Sequence, residues 1–307
     1  MENNSQNGFS IDALVPKQMA AKMENVGVAK VDLGPLRMFA LAVLAGAFIA
    51  LGAIFATTAT TGAGGALPFG ITKVLGGLVF SLGLILVVGA GAELFTGNNL
   101  IVMAWASGKV STGHLLRNWA IVYAGNFVGS ILTAVMMFFS GQFAFAGGAL
   151  GLNALAIADG KVHYGFMQAL ILGIFCNALV CLAVWLAIGG RSATDKIMSI
   201  IFPISAFVAA GFEHSVANMY FIPIGLLIKG GANESFWTTV GRTPADFAGL
   251  TWGSFLVNNL LPVTIGNIIG GAVMVGLVYW FIYLRPSWTH HPLSKDQSEP
   301  ALASEQS

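Results

Sequence analysis

The sequence predicts an all-α integral membrane protein with six transmembrane helices, and its composition is the first reason. Hydrophobic residues make up 56% of the chain and charged residues 9%, whereas soluble domains carry about 25% charged residues. The mean hydropathy is +0.79. A spanning helix needs about 20 apolar residues. Six stretches are long enough, namely residues 36–56, 72–106, 115–139, 166–189, 196–228 and 253–284.

Polar segments flank the apolar region and define the predicted domain boundaries. Residues 1–35 are predicted to be a cytoplasmic segment, in which the pattern IDALVPKQMAAKMENVGVAK indicates an amphipathic helix. That helix would lie on the membrane interface or against the bundle, and a merely solvated helix is the alternative. Residues 36–285 are predicted to form the transmembrane domain. Residues 286–307 lose the apolar pattern and gain Pro and Ser, so they are predicted to be a disordered cytoplasmic tail.

The distribution of Lys and Arg predicts the orientation in the membrane. Ten of these residues lie on the side that holds both termini: Lys17, Lys22, Lys30, Arg37, Lys109, Arg117, Arg191, Lys196, Arg285 and Lys295. The other side has four: Lys73, Lys161, Lys229 and Arg242. Positive residues are enriched in cytoplasmic connections, so both termini are predicted to be cytoplasmic.

An internal repeat relates the two halves of the chain. GAELFTGNN at 91–99 and GFEHSVANM at 211–219 share Gly, Glu and Asn at the same spacing. NWAIVYAGNFVG at 118–129 and NLLPVTIGNIIG at 259–270 share Asn, a Gly-Asn pair and a further Gly. The members of each pair lie an odd number of spans apart, which reverses their membrane orientation. We therefore predict an inverted repeat of three plus three helices, with close helix packing at the GxxxG spacing of the second pair.

The repeated Gly-x-Glu motifs predict that spans two and five are broken. These two stretches have 35 and 33 residues, and a continuous helix of that length would be about 50 Å long, beyond a hydrocarbon core of about 30 Å. Irregular backbone at membrane depth must be satisfied by protein or line a water-filled path. We therefore expect both breaks to meet at the bilayer centre. Half-helix ends with free N–H groups would favour anions there.

Few residues within the spans could carry chemistry. Residues 197–228 belong to the fifth predicted span, and these 32 residues contain only two acidic or basic side chains, Glu213 and His214. An ionisable residue inside a membrane indicates a functional site, although His214 could instead bridge helices and Glu213 could cap one. Cys176 and Cys181 are interpreted as packing residues, because no second Cys or His pair accompanies them. We therefore predict no metal, cofactor or catalytic site, and the net charge of +1 gives no indication of nucleic acid as a partner.

Four segments carry a family resemblance: LPFGITKVLGGLVFSLGLILVVGAGAELFTGNN, GRSATDKI, GFEHSVANMYFIP and NLLPVTIGNIIGG. They resemble the formate/nitrite transporter family, and within it the bacterial formate channels most closely. The resemblance implies a homopentamer in the bacterial inner membrane, in contact with membrane lipids, with a pore in each aquaporin-like protomer. It also implies small monovalent anions as cargo, such as formate, nitrite, hydrosulfide, acetate or lactate.

The resemblance also implies roles for residues along the pore. The central histidine of the family falls on His214 and its hydrogen-bonding threonine on Thr96, while Glu213 and Asn177 match groups that flank and orient the histidine. The resemblance further implies a periplasmic constriction at Phe80 and Phe207 and a cytoplasmic constriction at Leu84 and Leu94. It also implies two polar residues near the periplasmic mouth, Lys161 and Asn267. Residues 95–110 resemble the mobile loop of the family and the half-helix after it. The alternative interpretation of Phe80 and Phe207 is that they are packing residues. The alternative for Lys161 is that it is an ordinary loop lysine.

Desolvation explains why such a pore would need a histidine. A bare carboxylate in an apolar constriction costs on the order of 20 kcal/mol by Born arithmetic, so neutralising it with a proton is cheaper. The ordinary pKa of histidine lies closest to neutrality. We hypothesise that His214 either protonates the anion or stabilises it as imidazolium, while Lys161 raises the local anion concentration. The apolar constrictions would exclude water and hydrated cations.

These features favour an anion channel over three other classes of function. The sequence predicts a passive, pH-dependent formate channel and no enzymatic activity. A proton-coupled transporter of nitrite, hydrosulfide or short-chain carboxylates is the alternative, because it would use the same histidine. A neutral-solute channel of the aquaporin type is disfavoured, because neither half contains an NPA motif.

Overall fold

The computed structural model describes residues 12–285, and their regular structure is helical. We number the α-helices in chain order: α1 Pro16–Val31, α2 Pro35–Thr60, α3 Phe69–Phe80, α4 Leu82–Ala90, α5 Phe95–Asn98, α6 Val102–Ala106, α7 Thr112–Phe139, α8 Ala149–Val162, α9 Phe166–Gly189, α10 Ala193–Ala209, α11 Ser215–Gly231, α12 Glu234–Val240, α13 Leu261–Ile268 and α14 Val278–Tyr283. Shorter pieces are 3-10 turns at Asn99–Ile101, Gln142–Ala144 and Pro244–Phe247, and π-helical segments at Ser254–Leu260 and Ile269–Leu277. The predicted tail, residues 286–307, and the first 11 residues of the predicted N-terminal segment lie outside the described residues.

The membrane crossings agree with the predicted all-α fold. Five helical stretches are long and apolar enough to cross a membrane: Pro35–Thr60, Phe69–Ala90, Thr112–Phe139, Phe166–Gly189 and Ser254–Tyr283. The remaining predicted crossing, the fifth in chain order, is divided between α10 and α11, which have 17 residues each. Large apolar side chains face outward from these helices, as a lipid environment requires. Phe139 is 81% exposed and Phe202 is 72% exposed.

Both predicted breaks are present, and glycine makes each of them possible. Gly91 ends α4 with φ of 73°, and Gly211 follows α10 with φ of 74°. Glycine adopts this left-handed conformation without the steric penalty of a Cβ atom. The chain then runs extended through Leu94 and His214 before α5 and α11 begin. The inverted repeat is therefore present in backbone conformation as well as in sequence.

Glycines set the closest helix crossings within each half. α2 crosses α7 at Gly129, and α9 crosses the last span at Gly270. A Cβ atom at Gly129 would overlap the carbonyl oxygen of Val43, and one at Gly270 would overlap the carbonyl oxygen of Ile174. Small residues at such crossings let helix backbones approach closely. The packing interpretation of the GxxxG pairs is confirmed at both positions.

A short helix precedes the first span of each half, α1 before α2 and α8 before α9. The predicted amphipathic helix is α1, and it lies against the bundle. Its Met19 and Met23 are buried in a cluster with Met103 and Trp185. Neither α8 nor α12 was among the predicted elements, because both are too short for a membrane span and lie in connections between spans.

Candidate functional site

The two breaks bring His214 and Thr96 together. His214 Nε2 lies 2.9 Å from Thr96 Oγ1. His214 is also the N-cap residue of α11, and its Nδ1 accepts a hydrogen bond from the backbone N–H of Ala217 at 3.0 Å. A backbone amide can only donate, so the ring is neutral with its proton on Nε2. The imidazole therefore presents one N–H donor toward the threonine.

Two cavities lie on opposite sides of this hydrogen bond. We call them the outer and inner cavities, following the orientation predicted from Lys and Arg. The outer cavity, of about 490 Å³, is lined by Phe80, Phe207 and His214 among others. The inner cavity, of about 260 Å³, is lined by Leu84 and Leu94 among others. The structure therefore keeps each predicted constriction pair together and separates the two pairs.

Aromatic rings close the outer side of the constriction. Phe80 and Phe207 form an edge-to-face pair with centroids 5.7 Å apart, and the Phe207 ring stacks on His214 at 6.0 Å. Phe221 stacks on Phe80 at 6.1 Å and was not among the predicted site residues. It follows His214 by seven residues, a spacing that places both on one face of α11. That spacing is the signal that could have identified it.

Glu213 is directed into a buried polar network rather than toward the imidazole. Its Oε1 accepts from Lys161 Nζ at 2.7 Å, and its Oε2 accepts from Asn218 and Asn259 at 2.7 and 3.1 Å. Both oxygens are therefore occupied, and no hydrogen bond between Glu213 and His214 occurs in the part of the chain that the structure describes. This corrects the expectation that the carboxylate orients the histidine. Lys161 lies on α8 and not in an ordinary loop.

Asn267 and Asn177 brace the two breaks from the surrounding helices. Asn267 is fully buried, with Oδ1 accepting from Ser215 N and Nδ2 donating to the carbonyl of Glu213. It lines neither cavity, which corrects its expected position near the mouth. Asn177 Nδ2 donates to the carbonyl oxygens of Thr96 at 3.2 Å and of Asn267 at 2.7 Å. It therefore positions the threonine segment and also contacts Asn267, and in the described residues no hydrogen bond joins its side chain to His214.

The N-terminal amides of α11 are largely occupied. Asn267 accepts from the amide of Ser215, and His214 accepts from the amide of Ala217. These two amides are therefore not free to meet an anion, which narrows the expectation that free N–H groups of a half-helix point at the path. The side chains of His214 and Thr96 are further hydrogen-bonding groups at this point.

The first half contains a matching network that the sequence-based prediction missed. Lys30 Nζ lies 2.6 Å from Glu93 Oε1, and Asn98 Nδ2 donates to Glu93 Oε2 at 2.7 Å. Asn118 accepts from the same Asn98 amide at 2.9 Å. Asn126 completes the match, because it bonds the amide of Phe95 and the carbonyl oxygen of Glu93. Each break is thus fixed by one lysine, one glutamate and three asparagines.

The sequence does contain a signal for the missed lysine. Lys30 stands near the end of α1 and Lys161 near the end of α8. Residues 30–34 read KVDLG and residues 161–165 read KVHYG, so both lysines begin the pattern K-V-x-x-G. The repeat therefore extends to the two short helices that precede the halves.

Tyr164 is a further outer-cavity residue that was not predicted. It lies in the connection between α8 and α9 and lines the outer cavity. Burial raises the pKa of its hydroxyl above the usual 10.0, and the carboxylate of Glu213 contributes to the rise. The hydroxyl therefore stays protonated at physiological pH and remains a neutral hydrogen-bond donor at the mouth.

Comparison with known proteins identifies the family. Residues 17–281 match the profile of the family described as "Formate/nitrite transporter". The chain belongs to the formate/nitrite transporter family. The matched range includes both breaks, the two residues of the His214–Thr96 hydrogen bond and both lysine–glutamate pairs.

Other members of the formate/nitrite transporter family are similar along nearly their whole length. The formate channel FocA of Escherichia coli strain K12 is 51% identical over 280 residues, which covers 91% of this chain and 98% of the relative. FocA of Haemophilus influenzae is 45% identical over 86% of this chain and 93% of its own. A solved structure described as a pentameric formate channel with formate bound has a TM-score of 0.78 and 52% identity, covering 82% of this chain and 98% of its own. A solved FNT family ion channel at 28% identity has a TM-score of 0.73, covering 86% and 98%.

The chemistry available to this formate/nitrite transporter site is hydrogen bonding and proton exchange in a desolvated constriction. Within residues 12–285, no group of three or more His, Cys, Asp or Glu side chains could hold a metal ion. Among the described residues, the buried carboxylates of Glu24, Glu93 and Glu213 are each held by a lysine. His214 lines the outer cavity at the constriction and carries an exchangeable N–H proton there.

Proposed function

We propose that the protein is a passive, pH-dependent channel for formate and related small monovalent anions in the bacterial inner membrane. The observation that carries the proposal is the His214–Thr96 hydrogen bond, enclosed by apolar side chains between two cavities. Relatives named formate channels, and the solved pentameric channel with formate bound, support the choice of anion. We further propose a homopentamer with both termini in the cytoplasm.

The hydrogen bonds of His214 suggest how its two hypothesised roles are related. In the neutral ring, the Nε2–H group and the Thr96 hydroxyl can replace water around an anion at the constriction. Transfer of a proton to formate requires a ring with a second proton, and that proton must bind at Nδ1. It would displace the Ala217 amide, which now occupies Nδ1. Acid therefore converts a neutral hydrogen-bond donor into a proton donor, which makes transport pH-dependent.

A proton-coupled transporter of nitrite, hydrosulfide or short-chain carboxylates is the second candidate. The same exchangeable proton on His214 favours it, because each anion could leave with one proton. The two candidates differ in stoichiometry. A symporter moves one proton with every anion at all pH values, whereas a channel of the proposed kind carries the unaccompanied anion at neutral pH.

Formate uptake into proteoliposomes, measured together with internal pH, tests this mechanism. In His214→Phe, the loss of a hydrogen bond to a charged group is expected to lower formate flux about 10- to 100-fold. His214→Asn keeps an amide donor but cannot be protonated, so we expect partial flux without pH dependence. Unchanged flux, proton movement and pH dependence in both variants would overturn the mechanism.

A matched control separates the pore histidine from a general effect of losing an imidazole. His114 is exposed at the start of α7 and lines neither cavity. His114→Asn is therefore expected to leave formate flux and its pH dependence as in the wild type. Comparison of formate, nitrite and hydrosulfide in the same vesicles would identify the preferred anion.

A further inference from the structure

The backbone of Thr96 is held by two side chains of α9. Thr96 is 0% exposed and lies in α5, whose four residues make about one helical turn. Its carbonyl oxygen accepts from Asn177 Nδ2 at 3.2 Å and from Cys181 Sγ at 3.3 Å. These two donors stand four residues apart on α9, so they lie on one face of the helix. Together they fix the peptide that carries the Thr96 hydroxyl.

Gly271 leaves the space that these two donors occupy. It lies in the π-helical segment Ile269–Leu277 of the last span. A Cβ atom at Gly271 would overlap Asn177 Nδ2 and would come to 2.9 Å from Cys181 Sγ. Asn177 and Cys181 are both 0% exposed, so neither side chain can move into solvent to relieve the overlap. Glycine is therefore required here for space, and its backbone conformation is an ordinary helical one.

The first half of the chain lacks this arrangement. The helix crossings at Gly129 and Gly270 set the register of the repeat, because both glycines meet a backbone carbonyl of the facing helix. In that register, three pairs of corresponding positions differ between the first and second half: Gly46 and Asn177, Ala50 and Cys181, and Ser130 and Gly271. The larger residue of the facing pair lies on α7 in the first half and on α9 in the second.

This exchange keeps the helices packed but changes the polar groups. In the first half, Ser130 Oγ donates to the carbonyl oxygen of Gly46 at 3.2 Å. The residues of α2 that correspond to the two donors are a glycine and an alanine, which have no side-chain donor. The break residue that corresponds to Thr96 is Val216, which has no hydroxyl. Side-chain donors therefore stand behind the break residue that bonds the imidazole, and not behind its counterpart.

We infer that Cys181 and Gly271 are positioning residues, which hold the Thr96 hydroxyl within hydrogen-bonding distance of His214. The inference rests on the proposed anion-channel function. Neither residue lines a cavity, so neither touches an anion that occupies one. Thr96 Oγ1 lies 2.9 Å from His214 Nε2, and a hydrogen bond weakens steeply when its geometry is disturbed. A displaced Thr96 backbone would therefore lower flux through the constriction without closing either cavity.

Formate flux into proteoliposomes tests the role of the thiol. Cys181→Ala removes the donor and is expected to lower flux at saturating formate about threefold, as the loss of one weak hydrogen bond would. Cys181→Ser keeps a donor of similar size and is expected to retain wild-type flux. The matched control is Cys176→Ala, which is expected to behave as the wild type. Cys176 is also 0% exposed on α9, and no described hydrogen bond joins its side chain to Thr96.

A double-mutant cycle distinguishes positioning from a general structural effect. Thr96→Val removes the hydroxyl, keeps the shape of the side chain and is expected to lower flux about tenfold. In this background, Cys181→Ala should change flux by less than about 1.5-fold, because no hydroxyl is left to position. A loss by the same factor in both backgrounds would overturn the inference, as would wild-type flux in the single variant Cys181→Ala.

Gly271 is tested by giving the second half the facing pair of the first half. Gly271→Ala is expected to lower the melting temperature and to reduce flux about tenfold, because the added carbon overlaps a buried amide. The double variant Asn177→Gly with Gly271→Ser relieves this overlap and should recover much of the melting temperature. Its flux should remain about tenfold low, because the Thr96 carbonyl has lost a donor. Wild-type flux in the double variant would contradict a positioning role for Gly271.

Failure of the inference can be told apart from failure of the proposed function. A wild-type protein that carries formate, together with a Cys181→Ala variant that carries it equally well, overturns the inference alone. A wild-type protein that carries nitrite but no formate overturns the choice of formate alone, because the variants are then compared with nitrite. A wild-type protein that carries neither anion overturns both proposals.

Discussion

The Lys161–Glu213 pair is buried where its two charges depend on each other. The side chains are 17% and 2% exposed, respectively, and the carboxylate accepts from two asparagines as well. Removal of one partner from a buried pair leaves an uncompensated charge, whereas removal of both often costs little. Loss of one member of the pair is therefore expected to destabilise the protein more than loss of both.

A double-mutant cycle tests this interpretation by thermal unfolding in detergent. Lys161→Met is expected to destabilise the protein by about 3 to 5 kcal/mol, because Glu213 remains charged and buried. Adding Glu213→Gln should recover much of that loss, because the amide still accepts from Asn218. The control is Lys73→Met, which removes a lysine of the same cavity without a carboxylate partner and is expected to change stability by about 0.5 kcal/mol or less. Equal losses in Lys161→Met and Lys73→Met would contradict the interpretation.

At the scale of single residues, the sequence motifs predicted the residues at the centre of the pore but not the residues that hold the two breaks in place. His214 and Thr96 lie in the repeated break motifs, and the structure joins them by a hydrogen bond. Lys30 was missed because it precedes Glu93 by 63 residues, whereas Lys161 precedes Glu213 by 52. Alignment of the breaks alone cannot bring two lysines at different distances into register. The partners of Glu213 could not be predicted either, because they come from three different helices.

At the scale of elements, span length and glycine predicted the breaks. Stretches too long for one crossing, together with Gly91 and Gly211, required irregular backbone at the centre of the membrane. α8 was beyond prediction because its 14 residues are neither long enough for a span nor strongly amphipathic. Its position depends on tertiary contacts, such as the packing of α8 against α11. Its corresponding element α1 was predicted from an alternation of lysines and apolar residues that α8 lacks.

The helix crossings make a prediction about two glycines that both occur within helical structure. Gly270→Ala is expected to destabilise the protein by about 1 to 3 kcal/mol or more, because the added carbon meets the backbone carbonyl of Ile174, which cannot move independently. Gly160→Ala in α8 is the matched control. Nothing lies within 4 Å of its added carbon, so the higher helix propensity of alanine should stabilise the protein by about 1 kcal/mol. Melting temperatures that shift in the same direction for both variants would argue against a crossing set by Gly270.

At the scale of the whole molecule, the inverted repeat produces two similar mouths around one asymmetric centre. Each half supplies a lysine–glutamate pair, a break and a lysine without a carboxylate partner. Leu94 and His214 occupy the same extended position before the half-helix that follows each break. The scaffold is therefore duplicated, and the histidine is not. The proton chemistry that we propose for His214 therefore belongs to one half alone.

The predicted orientation can be tested with single cysteines, because Cys176 and Cys181 are both 0% exposed and give little background. Ser140 lies exposed after α7, in a connection predicted to face the periplasm, and Thr194 lies exposed at the start of α10, on the side predicted to be cytoplasmic. With a membrane-impermeant maleimide, Ser140→Cys should label in intact bacterial cells. Thr194→Cys should label only after the inner membrane is permeabilised. The reverse pattern would place both termini outside the cytoplasm and exchange the sides of the outer and inner cavities.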